Sequence, residues 1–167
     1  LGIKRNAERS IATAKHLKSI GFKNVSIYNG DDLKDNIKYK DKNGKEKIIK
    51  PSQIVMWNAL QMLRKNRNLK ELIYAEDDVR ITKPLELFHH LKGGINGIER
   101  LVFLDWLKVK EKDRQRYKSP NAKHGTQMIG YDNKAINELA DYNKYMNYDV
   151  ALNLYFNQKF GKNYGFE

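Results

Sequence analysis

A short apolar run ends in three consecutive carboxylates near the middle of the chain, and this pattern limits the folds available to it. Residues 72–75 (Leu-Ile-Tyr-Ala) have the composition of a buried strand, and Glu76, Asp77 and Asp78 follow directly. Carboxylates this close repel one another, and a divalent cation with a phosphate behind it would relieve the repulsion. Open α/β sheets place their ligand crevices at the carboxyl ends of strands. The run therefore predicts a strand that ends in a binding site, and the alternative is a solvated acidic turn.

Apolar segments of strand length alternate with segments of helical period along the chain. Strands are predicted at 1–3, 25–28, 69–75, 101–105 and 127–131, and helices at 7–20, 53–66, 84–91, 133–139 and 148–160. Turn signals at 39–46 predict a loop or small hairpin, and 108–123 is predicted to be a mobile loop that closes over a ligand. The alternation predicts a single α/β domain with a mostly parallel sheet flanked by helices.

The composition favours a partner that carries negative charge. The chain has 167 residues, with 32 Lys and Arg against 20 Asp and Glu, and a formal net charge of +12. Such an excess suits a nucleic acid, an anionic glycolipid or a nucleotide, although an AT-rich genome would also enrich Lys and Asn.

The lack of cysteine removes disulfides, thiolate nucleophiles and Cys-type zinc sites. No apolar run approaches the roughly 18 to 20 residues of a transmembrane helix. We expect a cytoplasmic protein, and a virus-encoded protein of the host cytoplasm is one form of that expectation.

The acidic block supplies the predicted metal ligands. Alternation along a strand would place Glu76 and Asp78 on one face and Asp77 on the other. Carboxylate oxygens are the ligands that Mg²⁺ and Mn²⁺ prefer, and such an ion would neutralise a leaving diphosphate. Glu76 and Asp78 are therefore predicted to hold the cation.

Two further pairs are predicted to contact a nucleotide. Arg5 and Arg9 lie four residues apart at a helix start, on one face, where a diphosphate would bind. Asp31 and Asp32 follow the second predicted strand and are predicted to hydrogen-bond ribose hydroxyls or a base. The alternatives are a solvated helix face for the arginines and a simple turn for the aspartates.

Two aspartates are candidates for a general base that deprotonates an acceptor hydroxyl. Asp105 ends a predicted strand and precedes Trp106, and a carboxylate beside an aromatic ring suits sugar binding. Asp149 is the rival base, or else the N-cap of the last predicted helix.

Several of these segments together resemble glycosyltransferase family 25. The resemblance is carried by the segments 3–9 (Ile-Lys-Arg-Asn-Ala-Glu-Arg), 30–32 (Gly-Asp-Asp), 51–57 (Pro-Ser-Gln to Trp) and 73–79 (Ile-Tyr-Ala-Glu-Asp-Asp-Val), in an order that agrees over about residues 1–140. It implies a GT-A-like fold, a nucleotide diphosphate sugar donor, with a UDP-sugar favoured, and Mn²⁺ or Mg²⁺. Residues 1–79 would be the nucleotide-sugar-binding half and 80–167 the acceptor-side half. Gln53 stands where the family usually has His, which leaves the type of acceptor open.

The predicted function is therefore metal-dependent transfer of a sugar from a nucleotide diphosphate sugar to an acceptor hydroxyl. The acceptor is either an envelope saccharide or glycolipid, or a hydroxylated DNA base. Two other classes stay open. One is a non-catalytic basic module that binds nucleic acid, and the other is a metal-dependent nuclease or phosphohydrolase, since two-metal sites also use clustered carboxylates.

Overall fold

A computed structural model describes residues 2–3, 7–102 and 127–160. The strands are β1 Gly2–Ile3, β2 Asn29–Gly30, β3 Lys38–Lys40, β4 Glu46–Ile48, β5 Glu71–Ala75, β6 Ile98–Val102 and β7 Met128–Asp132. The helices are α1 Ala7–Ser19, α2 Ile54–Lys65, α3 Pro84–Leu91, α4 Asn133–Ala140, α5 Tyr148–Ala151 and α6 Asn157–Phe160. Short 3-10 turns cover Leu33–Asp35 and Pro51–Gln53, and a π-helical turn, Leu152–Phe156, joins α5 to α6.

The prediction of a mostly parallel, GT-A-like sheet is wrong. The larger sheet of the described residues has three strands in the order β5–β7–β6, and both pairings are antiparallel. A second antiparallel pair is the hairpin of β3 and β4, whose turn was predicted from Asp41 and Gly44. Among the described strands, parallel pairing is confined to two residues each of β1 and β2.

The position of β7 explains the error. The alternation of strands and helices predicted a mostly parallel sheet, but β7 lies between β5 and β6 and runs in the opposite direction to both. Residues Met128 to Tyr131 of β7 are buried, because helices cover both faces of the central strand. An apolar run of this kind fits a central strand in either direction, so hydrophobic pattern alone does not set the polarity of pairing.

Alternating side chains of the three-stranded sheet pack into two separate hydrophobic cores. Leu72 and Tyr74 of β5 face a core built with α2, α4 and the α5–α6 segment. Ile73 and Ala75 face a second core, to which α1 and α3 contribute. The molecule is therefore layered, with helices on both sides of a small sheet.

Most predicted helices and strands are present, with shifted ends. The strand predicted at 25–28 is not present, and a two-residue strand, Asn29–Gly30, follows directly after these positions. The strand predicted at 101–105 is seen as Ile98–Val102, with 103–105 outside the described residues. The loop predicted at 108–123 also lies outside them. In the part of the chain that is described, no helix has both the length and the apolar character needed to cross a membrane.

The buried side of α1 agrees with the predicted one only in part. The spacing of Ile11, Ala14, Leu17 and Ile20 predicts one apolar face, and Leu17 is buried while Ile20 packs against the second core. Ile11, however, is 45% exposed, and Ser10 and Thr13 are buried beside Leu17. The helix therefore turns polar as well as apolar side chains inward, towards the segment that follows β5.

We expect Leu60→Ala in α2 to lower the free energy of unfolding by about 2–5 kcal/mol, because the side chain is fully buried in the first core. Leu85→Ala is the matched control, since Leu85 is 85% exposed, and its effect should stay within about 0.5 kcal/mol. Urea denaturation followed by circular dichroism measures both. Equal losses in the two variants would contradict the assigned core.

Candidate functional site

The acidic block begins where β5 ends. The amide of Glu76 donates to the carbonyl of Gln127 at 2.8 Å, and its Oε1 accepts from the hydroxyl of the buried Tyr74 at 3.3 Å. Asp77 and Asp78 then form a turn, closed by a 3.4 Å bond from the amide of Val79 to the carbonyl of Glu76. Strand alternation, which predicted Glu76 and Asp78 on one face, stops at Ala75, and the turn sets the direction of the two aspartates.

Arg9 lies against two of the three carboxylates. Its Nη2 is 3.0 Å from Asp77 Oδ1 and 3.2 Å from Asp78 Oδ2. The side chain of Asp77 is only 13% exposed, whereas those of Asp78 and Arg9 are 58% and 53% exposed. Arg9 thus offsets the repulsion inside the block, and Asp78 is a carboxylate that a ligand can reach from solvent.

Two more polar side chains of α1 hold the same segment. Thr13 Oγ1 donates to the carbonyl of Asp77 at 2.7 Å and accepts from Arg80 Nη1 at 2.8 Å. His16 Nε2 accepts from the amide of Ile81 at 2.9 Å. These positions share a helix face with Arg9, which explains the polar buried side of α1. The sequence analysis did not single out Thr13 and His16. Their positions, four and seven residues after Arg9, place all three on one helix face, which is the signal that could have identified them.

The end of β1 approaches the acidic block closely. A Cβ on Gly2 would lie 2.1 Å from Ser10 Oγ and 3.2 Å from both Cβ and Oδ2 of Asp77, so a larger residue there would force these side chains to shift. The next residue of β1, Ile3, pairs with Gly30 of β2. The ends of β1, β2 and β5 therefore lie close together. Arg5, predicted to bind diphosphate, lies outside the described residues.

Asp31 is held in place by the amide of Asn58. The backbone N–H of Asp31 donates to Asn58 Oδ1 at 2.8 Å, and Asn58 Nδ2 donates to the carbonyl of Asp31 at 3.1 Å. Trp57 Nε1 donates to Asp31 Oδ2 at 2.7 Å. The side chain of Asn58 also explains Gly30, where a Cβ would lie 2.7 Å from Asn58 Cγ. Asn58 was missed by sequence reasoning, although a single amide on the buried face of α2 is a usable signal.

Asp32 has the turn role that was the alternative to a nucleotide contact. Its Oδ1 accepts from the amide of Lys34 at 3.3 Å, and its own amide donates to Asp35 Oδ2 at 3.4 Å. This reciprocal pair is a capping box at the start of the 3-10 turn Leu33–Asp35.

An aromatic cluster lies beside Asp31. The ring centroids of Tyr39 and Tyr145 are 4.6 Å apart, and the centroid of Trp57 is 5.0 Å from that of Tyr145. Tyr39 comes from the hairpin, and Trp57 from α2. Aromatic rings next to a carboxylate form the kind of surface on which a sugar or a base packs.

Asp149 is held by a buried arginine and is not an N-cap. Asn147 caps α5 by accepting from the amide of Val150 at 3.4 Å. Arg100, fully buried in β6, places Nη2 3.5 Å from Asp149 Oδ1 and Nη1 3.0 Å from Asn153 Oδ1. Burial lowers the pKa of Arg100, and the carboxylate of Asp149 opposes this effect. Asp105, the rival base, lies outside the described residues.

Three buried tyrosines lie between Glu76 and Arg100. The hydroxyls of Tyr131 and Tyr148 share a hydrogen bond, and the hydroxyl of Tyr74 reaches Glu76. Burial is the largest cause that raises the pKa of each phenol, and the electrostatic influence of Arg100 lowers those of Tyr131 and Tyr148 in part. The first core therefore contains two pairs of polar groups, Tyr74 with Glu76 and Tyr131 with Tyr148.

The predicted ligands of Mg²⁺ or Mn²⁺ are a pair of carboxylates, Glu76 and Asp78. Among residues 2–3, 7–102 and 127–160, no group of three or more His, Cys, Asp and Glu side chains is arranged to hold a metal ion. Mg²⁺, however, usually binds through one or two carboxylates, with waters and substrate phosphates as its other ligands. By the chemistry of their side chains Glu76 and Asp78 suit such an ion, and their joint use as its ligands stays a prediction.

Comparison of the chain with protein-family models, with curated proteins and with solved structures finds no match. The resemblance to glycosyltransferase family 25 stays a prediction, carried by the residues quoted for it.

We expect the buried tyrosines to titrate only when the protein unfolds. Their pKa values are raised above the ordinary value of about 10, so their contribution to stability is complete below that pH and is lost as the pH rises. Tyrosinate absorbance and circular dichroism, recorded together, should show a first group of tyrosines ionising with the fold intact. Tyr74, Tyr131 and Tyr148 should then ionise with the loss of helix signal. Tyr148→Phe should remove one phenol from the second phase, and ionisation of every tyrosine near pH 10 without unfolding would contradict the assignment.

Asn58→Ala should lower the free energy of unfolding by about 1–3 kcal/mol, because it leaves the amide and carbonyl of Asp31 without their partner. Asn43→Ala, at an exposed turn of the hairpin, is the control and should change stability by less than about 0.5 kcal/mol. Chemical denaturation provides the measurement. An effect of Asn58→Ala no larger than that of the control would remove Asn58 from the site.

Proposed function

We propose that the chain is a glycosyltransferase that takes a sugar from a nucleotide diphosphate sugar, with Mn²⁺ or Mg²⁺, and transfers it to an acceptor hydroxyl. One observation carries the proposal. The Glu76–Asp78 turn that follows β5 is packed against Gly2 of β1 and against Arg9 of α1, so carboxylates and a guanidinium lie together where β5 ends. A cation and a diphosphate need these two kinds of group.

The cation end of the proposed donor site consists of Glu76 and Asp78. Asp78 is more than half exposed, and the carboxylate of Glu76 is oriented by the hydroxyl of Tyr74. When bound, the ion would neutralise the charge that develops on the leaving diphosphate. Arg9, and Arg5 by its sequence position, are the proposed phosphate contacts, because a guanidinium binds phosphate through paired hydrogen bonds.

Asp31 is the proposed contact to the ribose or base. Asn58 fixes its backbone, Trp57 fixes one carboxylate oxygen, and the adjacent rings of Tyr39 and Tyr145 offer a packing surface. A carboxylate that is already positioned loses little conformational freedom when it binds a hydroxyl. Asp32 is less suited to this role, because its oxygen caps a turn.

Asp149 or Asp105 is the proposed base on the acceptor side. The side chain of Asp149 is 30% exposed, and Arg100 contacts it from the buried side. One carboxylate oxygen is held in this way while part of the group faces solvent, as a base needs in order to reach an acceptor. The acceptor is an envelope saccharide or glycolipid, or a hydroxylated DNA base, which the net charge of +12 would favour.

The donor proposal is tested by thermal shift with UDP-glucose and UDP-galactose, each with and without Mn²⁺, and by assay of UDP release. We expect stabilisation that depends on the sugar nucleotide and Mn²⁺ together, with slow metal-dependent hydrolysis. A nucleic-acid-binding module without catalysis would show neither. A salt titration of acceptor binding then separates the acceptors, because nucleic-acid binding weakens steeply with salt.

Asp78→Asn should reduce metal-dependent turnover by roughly two orders of magnitude or more, because it removes a charged ligand at the centre of the chemistry. Asp141→Asn is the matched control, since Asp141 is also exposed and paired with an arginine, Arg67, at 2.6 Å. It should retain full turnover. Circular dichroism checks that both variants fold, and full turnover in folded Asp78→Asn would refute the proposed metal role.

A further inference from the structure

Arg9 is paired with Asp78, the carboxylate that the proposed cation would need. Its Nη2 lies 3.2 Å from Asp78 Oδ2 and 3.0 Å from Asp77 Oδ1. A divalent cation on Asp78 would face a guanidinium a few ångströms away, and two positive groups so close repel each other. Arg9 and the cation therefore compete for Asp78.

We propose that Arg9 is an exchangeable counter-ion, which pairs with Asp77 and Asp78 in the free protein and moves to the donor's diphosphate when a divalent cation takes Asp78. This inference rests on the proposed function. The exchange keeps charges paired throughout, because the guanidinium leaves one anion and meets another. Binding of the cation and binding of the diphosphate then strengthen each other, as thermodynamic linkage requires.

The mobility of Arg9 follows from its surroundings. Its side chain is 53% exposed, and exposed ion pairs contribute little to stability, so its release costs little. Arg100 offers a contrast, because it is fully buried between Asn153 and Asp149 and has no route to a ligand from solvent. Within the part of the chain that the structure describes, Arg9 is therefore an arginine at the acidic block that can leave its carboxylate partners for another anion.

Asp77 is built to stay in place when Arg9 leaves. Its carbonyl is held by Thr13, and its side chain packs against Gly2. Ser10 Oγ is buried and has no hydrogen-bond partner in the described part of the chain. Ser10 Oγ and Asp77 Oδ2 both lie within 3.2 Å of the point that a Gly2 Cβ would occupy. The buried hydroxyl of Ser10 therefore lies on the same side of Asp77 as Gly2.

The test measures binding rather than turnover, with the full chain and its Arg9→Gln variant. Calorimetry with Mn²⁺ alone should show roughly two- to fivefold tighter binding in Arg9→Gln, the range that the loss of an exposed competing ion pair provides. Calorimetry with UDP in saturating Mn²⁺ should show that Arg9→Gln binds UDP roughly tenfold more weakly than wild type, or more weakly still, because a charge-assisted contact is lost. Arg67→Gln is the matched control for an exposed Arg–Asp pair and should change neither affinity.

A second measurement uses wild-type protein and does not depend on how Arg9→Gln folds. The Arg9 guanidinium resonance, assigned by its loss in Arg9→Lys, should shift with Mg²⁺ and shift again when UDP is added.

Three results overturn the inference. Two of them leave the proposed function as it stands: Mn²⁺ affinity that is equal or weaker in folded Arg9→Gln, and an unmoved guanidinium resonance in wild-type protein that binds both ligands. The third is UDP affinity in saturating Mn²⁺ that does not fall in Arg9→Gln, which also removes Arg9 from the proposed phosphate contacts but leaves the proposed donor and cation standing. If wild-type protein binds neither Mn²⁺ nor UDP-sugar, the proposed function fails, and the inference fails with it.

Discussion

The contact between α1 and the turn after β5 is the constraint on which the rest of the site depends. Three consecutive carboxylates cannot fold into a packed edge without compensation, and the face of α1 supplies it through Arg9 and Thr13. Gly2 permits the close approach, because a side chain there would force Ser10 and Asp77 to shift. Together with the second core, to which α1 contributes Leu17, this contact joins the β1–α1–β2 unit to the three-stranded sheet.

The antiparallel strand β7 changes the sheet but leaves β5 and β6 ending at the same edge. β5 and β6 both run antiparallel to β7, so they share a direction. Ala75 and Val102, the last residues of β5 and β6, both pair with Met128, where β7 begins. The carboxyl ends of these two strands therefore lie together, as they would in the parallel sheet that was predicted.

The residues that complete the site are polar groups inside helices and strands, and this is why sequence reasoning did not reach them. Asn58 reads as an interruption of an apolar helix until it is seen to hold both backbone groups of Asp31. Arg100 was left just outside a strand predicted to begin at Leu101, yet it is fully buried and contacts Asp149. A buried polar group is explained by its partner, and partners 27 and 49 residues away are not visible in local pattern.

The sequence by itself determined most helices, the hairpin and the strand that leads into Glu76–Asp78, because these follow from local period and backbone preference. Only the tertiary structure decided that β7 lies between β5 and β6 and that α1 turns Thr13 rather than Ile11 inward. It also decided that Arg9 pairs with Asp77 and Asp78. The physical reason is the same in each case. Strand direction and charge pairing depend on which distant segment packs alongside, and the local sequence does not specify that segment.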